Sequence, residues 1–145
     1  MKFPFNLWQF LANVGQQPGI RAPLAIALGA IAGALTRYYF SMWLAKRLGS
    51  EFPYSTLVVN VTGCLVMGFF ATLTLEKLVT VSTELRLLVA VGFLGSYTTF
   101  STYSLDSLYL LRDRHPNVAL LYLLGSAAVG IFSAYLGSLL ARFWQ

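Results

Sequence analysis

One cysteine, one histidine and five acidic residues are all that 145 positions carry of the usual catalytic and metal-binding chemistry. The lone Cys64 excludes an intrachain disulfide and a cysteine-based zinc site. It lies inside an apolar run, where a small packing residue is expected. His115 precedes Pro116 in an expected loop, and no serine or carboxylate pattern accompanies it, so a surface role is favoured over catalysis. Charged residues make up only 10% of the chain, hydrophobic residues 57%, and the mean hydropathy is +0.68. Such a composition excludes an ordinary soluble domain. The formal net charge is +5, but the basic residues are scattered between apolar runs. That is the flanking pattern of membrane spans, not a nucleic-acid patch. No Ser/His, His/Glu or paired-carboxylate set falls within the apolar runs, which argues against a membrane enzyme.

What is present is apolar length. A helix needs about 20 apolar residues to cross a bilayer, and four such stretches fit, with no room for a second domain. The expected fold is an all-α membrane protein of four transmembrane helices. Residues 1–22 form an N-terminal tail or interfacial segment, in which Phe3, Leu7, Trp8 and Phe10 alternate with Asn6, Gln9 and Asn13. Residues 23–145 form the membrane domain. The first span is expected from Pro23 to Leu44, with Ala25, Gly29 and Gly33 recurring every fourth residue as a groove for close helix approach. Arg37 lies deep within it. The second runs from Tyr54 to Leu75, with Thr56 and Asn60 one turn apart and Gly63 continuing roughly the same side. The third runs from Glu84 to Leu111, and the fourth from Val118 to Phe143. In the fourth, Tyr122, Ser126, Gly130, Ala134 and Ser138 form one small or polar stripe, and Arg142 and Trp144 anchor its end.

The third span carries the most informative feature. Gly92-Phe93-Leu94-Gly95-Ser96-Tyr97-Thr98-Thr99-Phe100-Ser101-Thr102 places two glycines and a cluster of hydroxyls at membrane depth. Backbone that leaves the helix there survives only when buried in protein or lining a watery path. A break exposes unpaired carbonyls and amides, which is how half-helices build ion sites. The competing reading is a tightly packed Gly/Ser/Thr helix interface.

The flanking charges are nearly balanced. With the N-terminus inside, five basic residues (Lys2, Arg21, Lys77, Arg86, Arg142) face four outside (Lys46, Arg47, Arg112, Arg114). Orientation follows this bias, and so slight a bias is consistent with insertion in both directions. Two opposed copies then form an inverted pair from one gene product.

Three motifs occur in order. They are Gly29 with Gly33-Ala34-Leu35-Thr36-Arg37-Tyr38; Pro53-Tyr54-Ser55-Thr56-Leu57-Val58-Val59-Asn60-Val61-Thr62-Gly63; and the Gly92–Thr102 run. From about residue 23 onward the chain resembles the CrcB/Fluc family of fluoride channels. That resemblance implies passive export of cytoplasmic fluoride, fluoride resistance, and a multi-pass protein of a bacterial plasma (inner) membrane. It implies an antiparallel, dual-topology homodimer in lipid, with two pores and a central structural sodium ion. Carried over by position, the carbonyls of Gly95 and Thr98 hold sodium. Asn60, Phe100 and Tyr103 line the pore, and Thr56, Tyr122 and Ser126 extend a polar track. The family usually has phenylalanine where Tyr103 stands, and glycine is common at Ser55 and Ser96.

The residue chemistry suits a small, strongly hydrated anion. Asn60 offers an amide NH₂, and Thr56, Tyr122 and Ser126 offer hydroxyls. Thr56/Asn60 and Tyr122/Ser126 are both i, i+4 pairs that form ladders along one face. Phe100 and Tyr103 can present positive ring edges. The competing reading of Asn60 is a bridge between helices, and that of Phe100 is packing. Arg37 fits pairing or snorkelling at a vestibule, and Asp106 a packing or pairing role near the water boundary. The alternative is a small dual-topology multidrug exporter. Its proton coupling needs a membrane-buried carboxylate, and the first span has Arg37 instead.

Overall fold

The computed structural model describes residues 17–76, 79–113 and 116–143. The N-terminal segment 1–16, Lys77, Arg114, His115 and the Trp144 anchor lie outside the described residues. Among the described residues the chain is helical, with no strand. Helix α1 spans Pro18–Leu48 and α2 spans Tyr54–Leu75. A short α3, Thr83–Arg86, runs into a π-helical stretch, Leu87–Leu94, and then α4, Gly95–Tyr97. Helix α5 is Phe100–Arg112 and α6 is Pro116–Phe143.

The first helix begins five residues before the expected start. Pro18 occupies the first turn, where its missing N–H has no partner to lose. Pro23 therefore lies inside α1 rather than opening it. At the other end Lys46 and Arg47 sit in the last turn, complementing the helix dipole. Gly49 closes the helix with φ 80°, a left-handed conformation that glycine adopts without a Cβ clash. Helices α1, α2 and α6 are each long and apolar enough to cross a membrane. The expected third span, Glu84 to Leu111, appears as the segmented run from α3 to α5, interrupted at Thr98–Thr99. Its first half is π-helical rather than plainly α-helical, and the break falls after the second glycine rather than at either one.

Two close pairings set the architecture. The Gly29/Gly33 face of α1 lies directly on the backbone of the π stretch. A Cβ at Gly29 would meet the Leu88 carbonyl, and one at Gly33 the Phe93 carbonyl. Gly92 is pressed from the other side, 2.9 Å from a would-be Cβ to the Gly29 Cα. The small-residue groove read from the sequence is thus filled by backbone. The second pairing joins α2 to α6 along their length. Gly68 faces the Ala134 carbonyl, Gly137 faces the Leu65 carbonyl, and Thr72 Oγ1 donates to Ser138 Oγ at 2.9 Å. The expected stripe on α6 therefore divides. Its lower half, Ala134 and Ser138, is consumed by helix packing. At the edge of this pair Arg142 reaches Glu76 at 2.6 Å. That hydrogen bond holds the exposed Glu76 carboxyl below the usual carboxylate range.

The outward surface is apolar. Ile131 is 74% exposed, Leu121 70% and Phe100 79%. A surface of this kind demands lipid or another protein against it.

The α1 groove leaves no room for a side chain, so Gly33→Leu must push α1 away from the π stretch. Overpacking alone costs about 1–3 kcal/mol, and here the obstacle is backbone. Gly19→Ala, with nothing within 4 Å of the added atom, is the control. Thermal unfolding in detergent should show a lowered midpoint for Gly33→Leu and none for Gly19→Ala. Equal midpoints would contradict the close approach described here.

Candidate functional site at the helix break

The interruption between α4 and α5 is short and fully specified by side chains. Thr98 and Thr99 are extended, with ψ 158° and 111°. Leaving the helix there strands main-chain groups in apolar surroundings, where each unpaired group is costly. Asn60 on α2 meets both needs of Thr99. The Thr99 N–H donates to Asn60 Oδ1 at 2.8 Å, and Asn60 Nδ2 donates to the Thr99 carbonyl at 3.1 Å. Asn60 thus imitates a neighbouring peptide, and one of its amide hydrogens remains for another partner. The bridging role that the sequence allowed for this residue is realised, alongside its position at a cavity.

From α1, Arg37 Nη1 donates to the Thr98 carbonyl at 3.3 Å. The depth of Arg37 in its span is explained by this pairing. The Thr99 hydroxyl accepts from Thr102 N–H at 3.2 Å, so it caps α5 and satisfies one orphan donor of that helix start. The positive end of the α5 dipole therefore opens at the break, an environment that favours negative charge.

Phe100 and Tyr103 are one turn apart on α5, with ring centroids 5.7 Å apart. Tyr103 in turn lies 5.3 Å from Tyr122, and Tyr122 lies 5.5 Å from Phe52, edge to face. This aromatic row runs from the break toward the α1–α2 connection. The Tyr103 hydroxyl donates to the Leu123 carbonyl of α6 at 2.7 Å. That bond occupies its hydroxyl proton.

Tyr122 is 2% exposed and donates to Asp106 Oδ2 at 3.5 Å, while Thr56 Oγ1 donates to the same oxygen at 2.7 Å. Thr56 and Tyr122 thus converge on a carboxylate, and Asp106 joins the polar row as its acceptor. A packing or pairing role was expected of Asp106; its partners come from α2 and α6 and are invisible along one helix. A cavity of about 420 Å³ leads to this cluster, lined among others by Glu51, Thr56, Thr102 and Asp106. A second, of about 490 Å³, is lined by Arg37, Tyr38, Ser41, Thr56 and Thr99 on the α1 side of the break.

On the other side, Asn60, Phe100, Tyr103 and Ser126 surround a cavity of about 300 Å³. Ser126 Oγ is shielded from solvent and has no hydrogen-bond partner. Gly63 does not join this face. It turns toward Thr98 and Tyr97, and a Cβ there would collide with the Thr98 methyl. The residue that continues the Thr56/Asn60 side is Cys64, which borders the cavity instead of filling a core.

The break also frees carbonyls. Thr99 N–H, which would have bonded the Gly95 carbonyl in a continuous helix, is taken by Asn60. The Gly95 carbonyl loses its usual partner, and the Thr98 carbonyl keeps one lone pair beside Arg37. Two hard oxygens suit a small cation such as sodium. One chain supplies only part of a coordination shell, so this donor set fits sodium only when a second copy completes it.

Sequence comparisons place the chain in a family. The profile described as "CrcB-like protein, Camphor Resistance (CrcB)" matches residues 24–138. The chain belongs to the CrcB family. It is 58% identical to the protein of Trichormus variabilis named "Fluoride-specific ion channel FluC" over 127 residues, 88% of this chain and 93% of that protein. A protein of the same name from a Synechococcus is 52% identical over 128 residues, 88% of this chain and 98% of the relative. Another, from a Synechocystis, is 50% identical over 123 residues, 85% of this chain and 94% of the relative. With three long apolar helices and this membership, the CrcB chain is a multi-pass membrane protein.

Proposed function

We propose that this protein is a fluoride-selective channel of a bacterial inner membrane, and not an enzyme. The reading is supported by the names of its close relatives and, above all, by the single cavity that Asn60, Phe100, Tyr103 and Ser126 share beside the positive end of α5. Fluoride gives up water only to strong donors. The free amide hydrogen of Asn60 and the unpartnered Ser126 hydroxyl supply them, and the rings of Phe100 and Tyr103 supply positive edges. The Thr56–Asp106–Tyr122 cluster extends the polar row toward water, where hydroxyls held by a carboxylate exchange partners as an ion passes. Weak-acid HF enters a cell by diffusion and ionises; a passive pore then lets the membrane potential drive fluoride out. The exporter alternative needs a membrane-buried carboxylate in the first span, and α1 carries Arg37 and no acidic residue.

We further infer an antiparallel dimer of four-span subunits. The motif run from α3 to α5 would form the broken third span and α6 the fourth. The near balance of flanking charge and the exposed Phe100 and Ile131 beside the break support it. In such a dimer the Gly95 and Thr98 carbonyls of both copies would hold sodium, which supplies positive charge to freed backbone dipoles. Arg37 would temper that site from the α1 side.

Purified protein in liposomes should pass fluoride under a voltage gradient and pass chloride far more slowly. Absence of fluoride flux from folded protein would refute the channel. For the arrangement, Lys46→Cys in a Cys64→Ser background should label with an impermeant thiol reagent from both sides of the membrane. Labelling from one side alone would contradict dual topology.

A further inference from the structure

Cys64 follows Thr56 and Asn60 at intervals of one helical turn, so the three residues share a face of α2. Its side chain is not packed away. It borders the cavity of about 300 Å³ with Asn60, Phe100, Tyr103 and Ser126. It also borders an adjoining cavity of about 190 Å³ that reaches Thr98 and Thr99 at the break. Across from it stands Gly130, whose added Cβ would lie 3.6 Å from the thiol sulfur, so α6 presents no side chain at that point. Ser126 lines the same cavity, and its hydroxyl oxygen, shielded from solvent, has no hydrogen-bond partner.

We infer that Cys64 is the third rung of the α2 ladder, a pore-facing thiol whose modification closes the channel. The inference rests on the channel reading above. A thiol is a weak donor, so Cys64 offers the passing anion less than Asn60 does, and the channel tolerates it. The space around the sulfur is the pathway itself, so a group added there obstructs the ion. Methyl methanethiosulfonate is the probe. The Cys64 thiolate attacks the sulfenyl sulfur, a new S–S bond forms, the thiosulfonate S–S bond breaks, methanesulfinate leaves, and the thiol proton passes to buffer. The product carries a methylthio group, and dithiothreitol removes it by thiol–disulfide exchange.

In wild-type proteoliposomes, treatment should lower fluoride flux at least tenfold, and dithiothreitol should restore it. Cys64→Ala and Cys64→Ser should each show the same flux before and after treatment, whatever their own starting rates. Mass spectrometry of the same samples reads the modification at Cys64. A folded wild type that remains unmodified, or one that is modified with no loss of flux, would overturn the inference. If untreated wild type passes no fluoride, the channel reading fails instead, and the labelling alone then decides whether Cys64 faces open space.

Discussion

The structure turns on the pair of hydrogen bonds between the Asn60 carboxamide and the peptide of Thr99. Backbone cannot leave a helix in apolar surroundings without partners for the groups it strands. Asn60 supplies a donor and an acceptor together, in the geometry of a neighbouring strand. With that one side chain in place, α4 can stop, α5 can begin with a Thr99 cap, and the dipole of α5 can point into the protein. Without it, the break is two unsatisfied groups in a membrane. The aromatic row, the freed Gly95 carbonyl and the cavity with Ser126 all take their positions from this turn.

Asn60 can reach Thr99 because the helices are close and rigidly spaced. Gly29, Gly33 and Gly92 let α1 sit on the backbone of the π stretch, and Gly68 and Gly137 do the same for α2 and α6. Between the two pairings, Gly63 admits Thr98 against α2. Polar side chains then bridge the pairs: Arg37 from α1, Asn60 from α2, Asp106 from α5 to Thr56 and Tyr122. Small residues fix distance and polar residues fix register. The outcome is a polar row that adjoins the break on one side and an open cavity on the other, in a chain whose outer surface is apolar.

Much of this was legible along the chain, because membrane helices leave strong one-dimensional signals. Apolar length marked α1, α2 and α6, and glycines with hydroxyls marked the broken run. The start of α1 was misplaced because Gln17-Pro18-Gly19 reads as a turn, although a proline costs nothing at a first helical position. The π stretch was hidden, since Leu87–Leu94 is uniformly apolar and carries no periodic cue to helix type. The partners of Asp106 and the exposure of Cys64 were hidden for another reason. Both depend on contacts between residues far apart in sequence, and a single helix face shows neither. Asn60 was read as a donor to an anion or as a bridge between helices; that the bridge ends on the peptide of Thr99, 39 positions away, was not legible along the chain.

The central claim is that Asn60 holds the break open in the conformation that carries the ion. It is tested most directly by amide hydrogen exchange at Thr99, read with fluoride flux, in reconstituted wild type and Asn60→Ala. Loss of a buried partner costs about 1–3 kcal/mol, or roughly fivefold to a hundredfold in an opening equilibrium. The account predicts that Thr99 exchanges faster by that factor in Asn60→Ala and that flux falls with it. Equal exchange at Thr99 with undiminished flux would contradict it.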